Sequence, residues 1–239
     1  MLVEGKNPVR ELVEGGATIN KLFVQNNLRD NQSNQIIQRA KERKLRIDFV
    51  TKDFLDKKSV SKRHQGFICD TVEFAYSDID EILDYAAAKE ESPFLVILDS
   101  IEDPHNLGAI IRTCECAGVH GIIIPKHRAC QVNETVIRTS AGATSNMKIA
   151  SVTNLNQTIE VLKQKGVWVY GLELGGKDIY KTNLTGSIAL VVGSEGFGLS
   201  RLVKENCDEI VTLPQRGQIN SLNASVACGI AVYEILKQR

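Results

Sequence analysis

Six short runs of apolar residues, separated by segments of helical character, constrain the fold of the chain from Phe94 onward. Near-continuous apolar strands indicate burial on both faces, which is typical of parallel sheets covered by helices. The pattern therefore predicts an α/β domain built on a parallel sheet. The predicted strands are Phe94–Leu98, Gly121–Ile124, Lys148–Ala150, Val167–Leu172, Ile188–Val192 and Ile210–Leu213.

A change of pattern and charge divides the chain into two predicted domains. Residues 1–75 contain shorter strands and helices, which indicate a small N-terminal α/β domain. Residues 76–91 hold one Lys against six acidic residues, with Ile79, Ile82 and Ala86 at helical spacing. We therefore expect a helical linker over residues 76–92, followed by the sheet domain over residues 93–239.

The distribution of charge says more about partners than the net charge. The chain of 239 residues has 29 basic and 29 acidic residues, so no overall basic field indicates a nucleic-acid partner. Nine basic residues nevertheless lie between Lys41 and Arg63, against four acidic ones. Such a stretch is typical either of RNA contact or of a solvated surface. The candidate RNA-binding residues are Lys57, Lys58, Lys62 and Arg63.

The six cysteines show no paired framework, and we expect reduced thiols. Cys114 and Cys116 are at best half of a metal site, because no second cysteine pair accompanies them, so we expect no metal. Residues 1–6 lack an apolar signal sequence, and no apolar run is long enough to cross a bilayer. We therefore expect a cytoplasmic protein that does not bind a membrane.

Three polar and glycine-rich blocks follow predicted strands. The first is Asp103–Gly108 with Arg112, the second is Gly193–Gly198, and the third is Ser221–Ala227. Parallel sheets bind ligands beyond the carboxyl ends of their strands, and a glycine turn lets a ligand approach the backbone closely. We therefore expect the three blocks to form one ligand site.

Each polar residue of these blocks also has a purely structural interpretation. Asn106 can cap a helix, Arg112 can be a surface cation, and Ser221 can cap the last helix. Glu195 can cap a helix that begins near Leu199. The glycines of the second block do not have the spacing of the dinucleotide-binding fingerprint and occur late in the chain, which disfavours a nicotinamide oxidoreductase.

Together the blocks resemble the three signature motifs of the SpoU/TrmH family of RNA ribose 2′-O-methyltransferases, within the SPOUT superfamily. The resemblance runs from Phe94 to the C-terminus. Residues 5–9 and 64–66 also resemble the substrate-binding domain of the RlmB-type 23S ribosomal RNA (guanosine-2′-O-)-methyltransferases. The chain departs from many relatives at Gln215 and Arg216, which precede a retained glycine, Gly217.

The resemblance implies a parallel-sheet domain with a deep trefoil knot, a ribosomal-protein-like RNA-binding domain, a homodimer and the methyl donor S-adenosylmethionine. It implies methylation of a ribose 2′-hydroxyl, in the RlmB type of a guanosine in 23S ribosomal RNA. Alternatives are a transfer-RNA ribose methyltransferase, an antibiotic-resistance ribosomal RNA methyltransferase of the same family, and a non-catalytic RNA-binding or ribosome-assembly factor. The implied catalytic residues are Asn106, Arg112, Glu195, Ser221 and Asn223, and the implied cofactor-binding residues are Leu172, Gly175, Gly193, Leu213 and Leu222.

Overall fold

The chain divides into two compact units, Met1–Ala75 and Tyr76–Arg239, in a computed structural model. The structure describes residues 2–15, 19–71, 74–218 and 221–239. Each unit has its own β-sheet, and the apolar residues cluster within the units.

The first unit is a four-stranded sheet with helices on both faces. The strand order is β1-β4-β2-β3, and β2 and β3 are parallel while the other pairs are antiparallel. The elements are β1 (Leu2–Glu4), α1 (Lys6–Gly15), β2 (Ile19–Gln25), α2 (Asn31–Glu42), β3 (Ile47–Val50), α3 (Lys52–Lys58) and β4 (Phe67–Thr71).

Alternation along β2 explains how this small unit buries both faces of its sheet. Leu22 and Val24 belong to the apolar cluster that contains residues of α1 and α2, whereas Phe23 packs with Leu55 of α3 and with Ile68. Successive side chains of a strand point to opposite faces, so one strand serves two cores.

The loop after α3 is held by the carboxylate of Glu4 in β1. This carboxylate accepts hydrogen bonds from Ser59 Oγ at 2.7 Å, Val60 N at 2.6 Å and Ser61 N at 3.1 Å. Desolvation acts to raise the pKa of Glu4, but the hydrogen bonds outweigh it and lower the pKa to about 2. The loop conformation is therefore fixed at its start, immediately before Lys62 and Arg63.

The second unit confirms the predicted parallel sheet. All pairs of its six-stranded sheet are parallel, in the order β10-β8-β9-β5-β6-β7. Every residue of Phe94–Leu98 and of Ile188–Val192 is buried, as expected for central strands covered on both faces. The trefoil knot stays a prediction.

The elements of this unit are α4 (Ile79–Ala88), β5 (Phe94–Leu98), α5 (Pro104–Cys116), β6 (Gly121–Pro125), α6 (Glu134–Thr139), β7 (Lys148–Val152), α7 (Leu155–Gln164), β8 (Trp168–Asp178), β9 (Ile188–Val192), α8 (Arg201–Asn206), β10 (Glu209–Thr212) and α9 (Ala224–Gln238). Two short 3-10 helices span Ala143–Ser145 and Ile179–Lys181.

The helix that we expected in a linker is part of the second unit. Ile82 and Ala86 of α4 are fully buried, and Ile82 packs in the cluster that contains Leu95 and Ile97 of β5. The acidic residues that suggested a linker lie around a helix whose apolar side chains join the core. Burial of that apolar side explains why the helix packs as part of the domain.

Strand β8 is longer than predicted and irregular. Ile210 of β10 pairs with Gly171, but the next residue, Val211, pairs with Lys177. Residues 172–176 therefore leave the ladder between β8 and β10 at the level where the neighbouring strand β9 ends. This excursion brings the carboxylate of Glu173 to the edge of the sheet that carries the three blocks.

Candidate active site

The carboxyl ends of three adjacent strands meet at one edge of the sheet. Leu98 of β5 and Leu172 of β8 both pair with Val192, the last residue of β9. The chain runs outward from β5 through β6 to β7, and then crosses to β8 on the far side of β9. This change of direction is the type of position at which open α/β sheets bind ligands.

The glycine block Gly193–Gly198 forms a closed turn directly after β9. Ser194 N donates to Gly198 O at 3.2 Å, and Gly198 N donates to Ser194 O at 2.9 Å. A Cβ atom on Gly193 would lie 2.2 Å from the carbonyl of Gly198, so no other residue fits there without displacement of the backbone. Gly198 adopts a φ of 66°, a conformation that favours glycine.

Two carboxylates that the sequence analysis did not identify hold the end of this turn. Glu173 Oε2 accepts a hydrogen bond from Leu199 N at 2.8 Å, and Asp99 Oδ2 accepts one from Ser200 N at 2.7 Å. Asp99 is buried, and it follows β5 directly. Both residues directly follow predicted strands, and this position could have identified them as candidate site residues.

A hydrogen-bonded cluster of Asn106, Glu195 and Asn223 joins the three blocks. Glu195 Oε1 accepts from Asn106 Nδ2 at 3.0 Å and from Ala224 N at 3.1 Å, and it also accepts from Asn223 Nδ2. Asn223 Nδ2 donates in addition to Asn106 Oδ1 at 2.9 Å. Three of the five predicted catalytic side chains are thus in direct contact.

Different residues from those suggested by the sequence cap the helices at the site. Asp103, not Asn106, is the N-cap of α5, and its side chain accepts from His105 N. Asn223, not Ser221, is the N-cap of α9, and its Oδ1 accepts from Ser225 N and Val226 N. Glu195 accepts from the first residue of α9 and not from α8, whose N-cap is Ser200.

A first cavity of about 340 Å³ lies against the glycine turn. Its wall combines the turn backbone with apolar side chains and with the carboxylates of Glu173 and Glu195. It is therefore suited to a ligand with an apolar body and positive charge. The predicted residues that line it are Leu172, Gly193, Glu195, Leu213, Ser221 and Leu222.

A second cavity of about 280 Å³ shares the segment Ser194–Phe197 and Ala224 with the first. Its other lining residues are Ser100, Ile101, Glu102, Asp103 and Asn106, which lie after β5 and in the first turn of α5. The cluster of Asn106, Glu195 and Asn223 therefore lies where the two cavities adjoin. Two ligands could meet at this point.

Three of the predicted catalytic and cofactor-binding residues, Arg112, Gly175 and Asn223, are not part of either lining. Arg112 is exposed and lies six residues beyond Asn106 on α5, about 9 Å along the helix axis. Within the described residues, no hydrogen bond or ion pair involves its side chain. Gly175 is exposed, with a φ of 78°, in the segment that leaves the β8 ladder.

The four predicted RNA-binding residues belong to the first unit. Two lie at the end of α3, and two lie in the loop that Glu4 holds. Lys58 is half-buried, and its Nζ lies 4.8 Å from the centroid of the Phe23 ring. We call these residues the basic cluster: Lys57, Lys58, Lys62 and Arg63.

Burial raises the pKa of two cysteine thiols in the second unit. Burial, with a smaller effect of Asp208, raises the pKa of Cys207 to about 12. Burial also raises the pKa of Cys114, which contacts Cys228. Such thiols are protonated and poor nucleophiles. Among the described residues there is no group of three or more potential metal ligands, and none of their helices has the length and hydropathy of a membrane span.

Comparison with known families gives matches over nearly the whole chain. Residues 93–233 match the SpoU rRNA Methylase family, and residues 2–77 match the family described as RNA 2′-O ribose methyltransferase substrate binding. A protein of Bacillus subtilis (strain 168), named as a TrmH family tRNA/rRNA methyltransferase, is 41% identical over 99% of this chain and 95% of its own length. A protein of Staphylococcus aureus (strain MSSA476) with the same description is 40% identical over 100% of this chain and 96% of its own length.

Solved structures agree with the fold. The AdoMet-bound rRNA methyltransferase from Sinorhizobium meliloti has a TM-score of 0.62 and 26% identity, over 99% of this chain and 86% of that one. The SpoU methyltransferase AviRb from Streptomyces viridochromogenes, in complex with AdoMet, has a TM-score of 0.65, over 100% of this chain and 90% of that one. Its identity of 24% supports similarity of fold alone.

Proposed function

Because the chain belongs to the SpoU/TrmH family of S-adenosylmethionine-dependent RNA methyltransferases, we propose that its target is the ribose 2′-hydroxyl of a guanosine in 23S ribosomal RNA. The observation that carries the proposal is the pair of adjoining cavities at the carboxyl ends of β5, β8 and β9, with Asn106, Glu195 and Asn223 between them. Methyl transfer requires a donor and an acceptor held next to each other.

The first cavity fits S-adenosylmethionine in its chemistry. Leu172, Leu213 and Leu222 offer apolar surface for the adenine and its sugar, and the turn at Gly193 offers backbone groups without side-chain obstruction. The carboxylates of Glu173 and Glu195 suit the positive charge of the donor. The bound donor supplies an electrophilic methyl group, so the chain has to supply binding and alignment.

The residues around the second cavity orient the acceptor. Asn106 and Asn223, held by Glu195, present amide groups that can hydrogen-bond a ribose, and Ser221 adds a hydroxyl from the lining of the first cavity. A guanidinium is a hydrogen-bond donor without an acceptor, so we assign Arg112 to a phosphate or to the oxyanion that develops on the ribose, and not to proton abstraction. The proton leaves through water or a phosphate oxygen.

The first unit is the proposed RNA-binding domain. Its match to a substrate-binding family and the positive charge of the basic cluster support this role. The 2′-hydroxyl distinguishes RNA from DNA, and bases in loops or single strands can be splayed out for recognition. We therefore expect the target guanosine in an unpaired segment of ribosomal RNA.

Transfer RNA is the second candidate substrate. The relatives that match this chain over nearly its full length are named as tRNA/rRNA methyltransferases. Both substrates offer the same ribose chemistry to the site, so the choice depends on contacts outside the second cavity. The first unit, which provides such contacts, favours the larger ribosomal RNA.

We also propose that the protein is a homodimer that associates through α9. This helix is apolar on more than one side, because Cys228, Val232 and Ile235 are buried while other large apolar residues are exposed. A second, exposed apolar face on a helix is typical of a surface that associates with another protein. The exposed residues are Val226, Ile230, Tyr233 and Leu236, at intervals of three or four.

Methyl transfer to defined RNAs tests the function. The purified protein is incubated with S-adenosylmethionine and with unmodified 23S ribosomal RNA or transfer RNA, and 2′-O-methylated positions are mapped. We expect modification of one guanosine in 23S ribosomal RNA and none in transfer RNA. Modification of transfer RNA alone would assign the second candidate, and modification of neither, with the donor bound, would favour a non-catalytic RNA-binding factor.

A further inference from the structure

Phe197 presents an aromatic ring to solvent at the boundary of the two cavities. It is 95% exposed, more than any other large hydrophobic residue described. A single exposed apolar side chain is ordinary on a protein surface. The position of Phe197 is not ordinary, because the residue lines both cavities and no neighbouring side chain shields its ring.

The loop that carries Phe197 is held on both sides. Two backbone hydrogen bonds close the turn between Ser194 and Gly198. Glu195 is bonded to α5 and α9, and Leu199 N is bonded to Glu173. The ring is therefore presented from a fixed backbone. Because the loop is already ordered, a ligand that stacks on the ring binds with a small entropic cost of loop ordering.

The charge of the second cavity selects the part of a nucleotide that fits there. Glu102, Asp103 and Glu195 contribute carboxylates to its lining, and the described lining residues include no Lys or Arg. Phosphate would be repelled by this wall. An uncharged nucleobase has an aromatic face and amino or imino donors on its edge, which suit an aromatic ring and carboxylate acceptors.

We propose that Phe197 stacks on the target nucleobase in the second cavity and thereby positions its ribose beside Asn106 and Asn223. The inference rests on the proposed RNA methyl transfer and adds to it a substrate-positioning residue. The aromatic face holds the base, while the cluster of Asn106, Glu195 and Asn223 holds the sugar. Phe197 is thus a determinant of RNA binding and not of donor binding.

Substitution of Phe197 separates stacking from other contacts. For Phe197→Ala we expect kcat/KM for the RNA substrate to fall about 5- to 150-fold, mainly through KM, as for loss of one base–aromatic stack. Phe197→Trp retains the aromatic face and should remain within about threefold of wild type, whereas Phe197→Leu should resemble Phe197→Ala. The Kd for S-adenosylmethionine and the Tm should not change, because the ring is almost wholly exposed.

Tyr180→Ala is the matched control, because Tyr180 is 52% exposed and lines neither cavity. We expect it to leave the KM for RNA unchanged. Equal activity of wild type and Phe197→Ala would refute stacking, as would full activity of Phe197→Leu. Weaker donor binding by Phe197→Ala would show that the ring covers the donor instead, and would also overturn the proposal. Absence of methyl transfer by the wild type would refute the proposed function, a distinct result.

Discussion

The carboxylate of Glu195 accepts hydrogen bonds from segments that are far apart in the chain. Asn106 lies 89 residues away and Asn223 lies 28 residues away, yet both donate to the same carboxylate oxygen. A carboxylate with several donors restricts the orientation of each donor. The cluster is therefore preorganised for the proposed contact with a ribose, because its amide groups are already held in place.

The sequence predicted these residues but not their contacts. Asn106, Glu195 and Asn223 each had a helix-capping or family interpretation, and local pattern does not distinguish a cap from a tertiary contact. Asn223 does both, since its Oδ1 caps α9 while its Nδ2 bonds Asn106 and Glu195. The pairing of β5 with β9 and the packing of α5 against α9 bring the three segments together.

Gly193 and Gly196 provide a matched pair for the glycine turn. A Cβ on Gly193 would collide with the carbonyl of Gly198, whereas a Cβ on Gly196 would meet no heavy atom within 4 Å. We expect Gly193→Ala to displace the turn and to weaken S-adenosylmethionine binding at least about tenfold, since a shift of this size removes the contacts of the cavity wall. Isothermal titration with the donor measures the effect.

Gly196→Ala should bind the donor within about twofold of wild type, because the loop conformation needs no change there. Gly196 has no positive φ, so the substitution introduces no backbone strain. Wild-type affinity in Gly193→Ala would contradict the account of the turn.

At the scale of elements, strands β5 and β9 were predicted with their observed bounds. Their signals are strong because near-continuous apolar runs are typical of buried parallel strands. Strand β1 has three half-buried residues and no such run, and it was not predicted. The irregular part of β8 depends on pairing with β10, which is a tertiary effect.

The exposed side of α9 gives a prediction for association. Ile230→Asp places a charge in the middle of the apolar surface and should convert the dimer to a monomer, because a desolvated, unpaired carboxylate is costly. Size-exclusion chromatography with light scattering measures the mass. A monomeric wild type, or an unchanged dimer of Ile230→Asp, would contradict the assignment of this face.

Asp84→Asn is a control for changes of surface charge in the same unit. Asp84 is on α4 and outside both cavities. The variant should keep the mass of the wild type. Loss of the dimer in this variant would show that association is sensitive to charge in general and not to the apolar face of α9.

At the scale of the whole molecule, the two units carry different parts of the proposed function. Change of pattern at residue 76 predicted two parts, but charge alone left the basic cluster ambiguous between RNA contact and a solvated surface. The structure describes the cluster in one unit and the cavities in the other. The charge of the cluster makes it a candidate RNA contact, which a binding measurement tests.

Reversal of the basic cluster to glutamate tests RNA contact. We expect weaker RNA binding and a shallower dependence of log affinity on log salt, by about 0.7 for each lost phosphate contact in single-stranded RNA. Fluorescence anisotropy across a salt series gives both quantities. The control reverses Lys177 and Lys181, whose side chains are 73% and 83% exposed in the second unit. An unchanged affinity and slope in the basic-cluster variant would mean that the cluster is only a solvated surface.

We propose that three segments distant in the chain form one methyl-donor site next to a nucleotide cavity. A crystal structure of the protein with S-adenosylmethionine tests it most directly. We predict the donor in the first cavity, against Gly193, Leu213 and Leu222, with its methyl group toward the cluster of Asn106, Glu195 and Asn223. A donor bound elsewhere, or these three side chains separated from one another in the complex, would contradict the account.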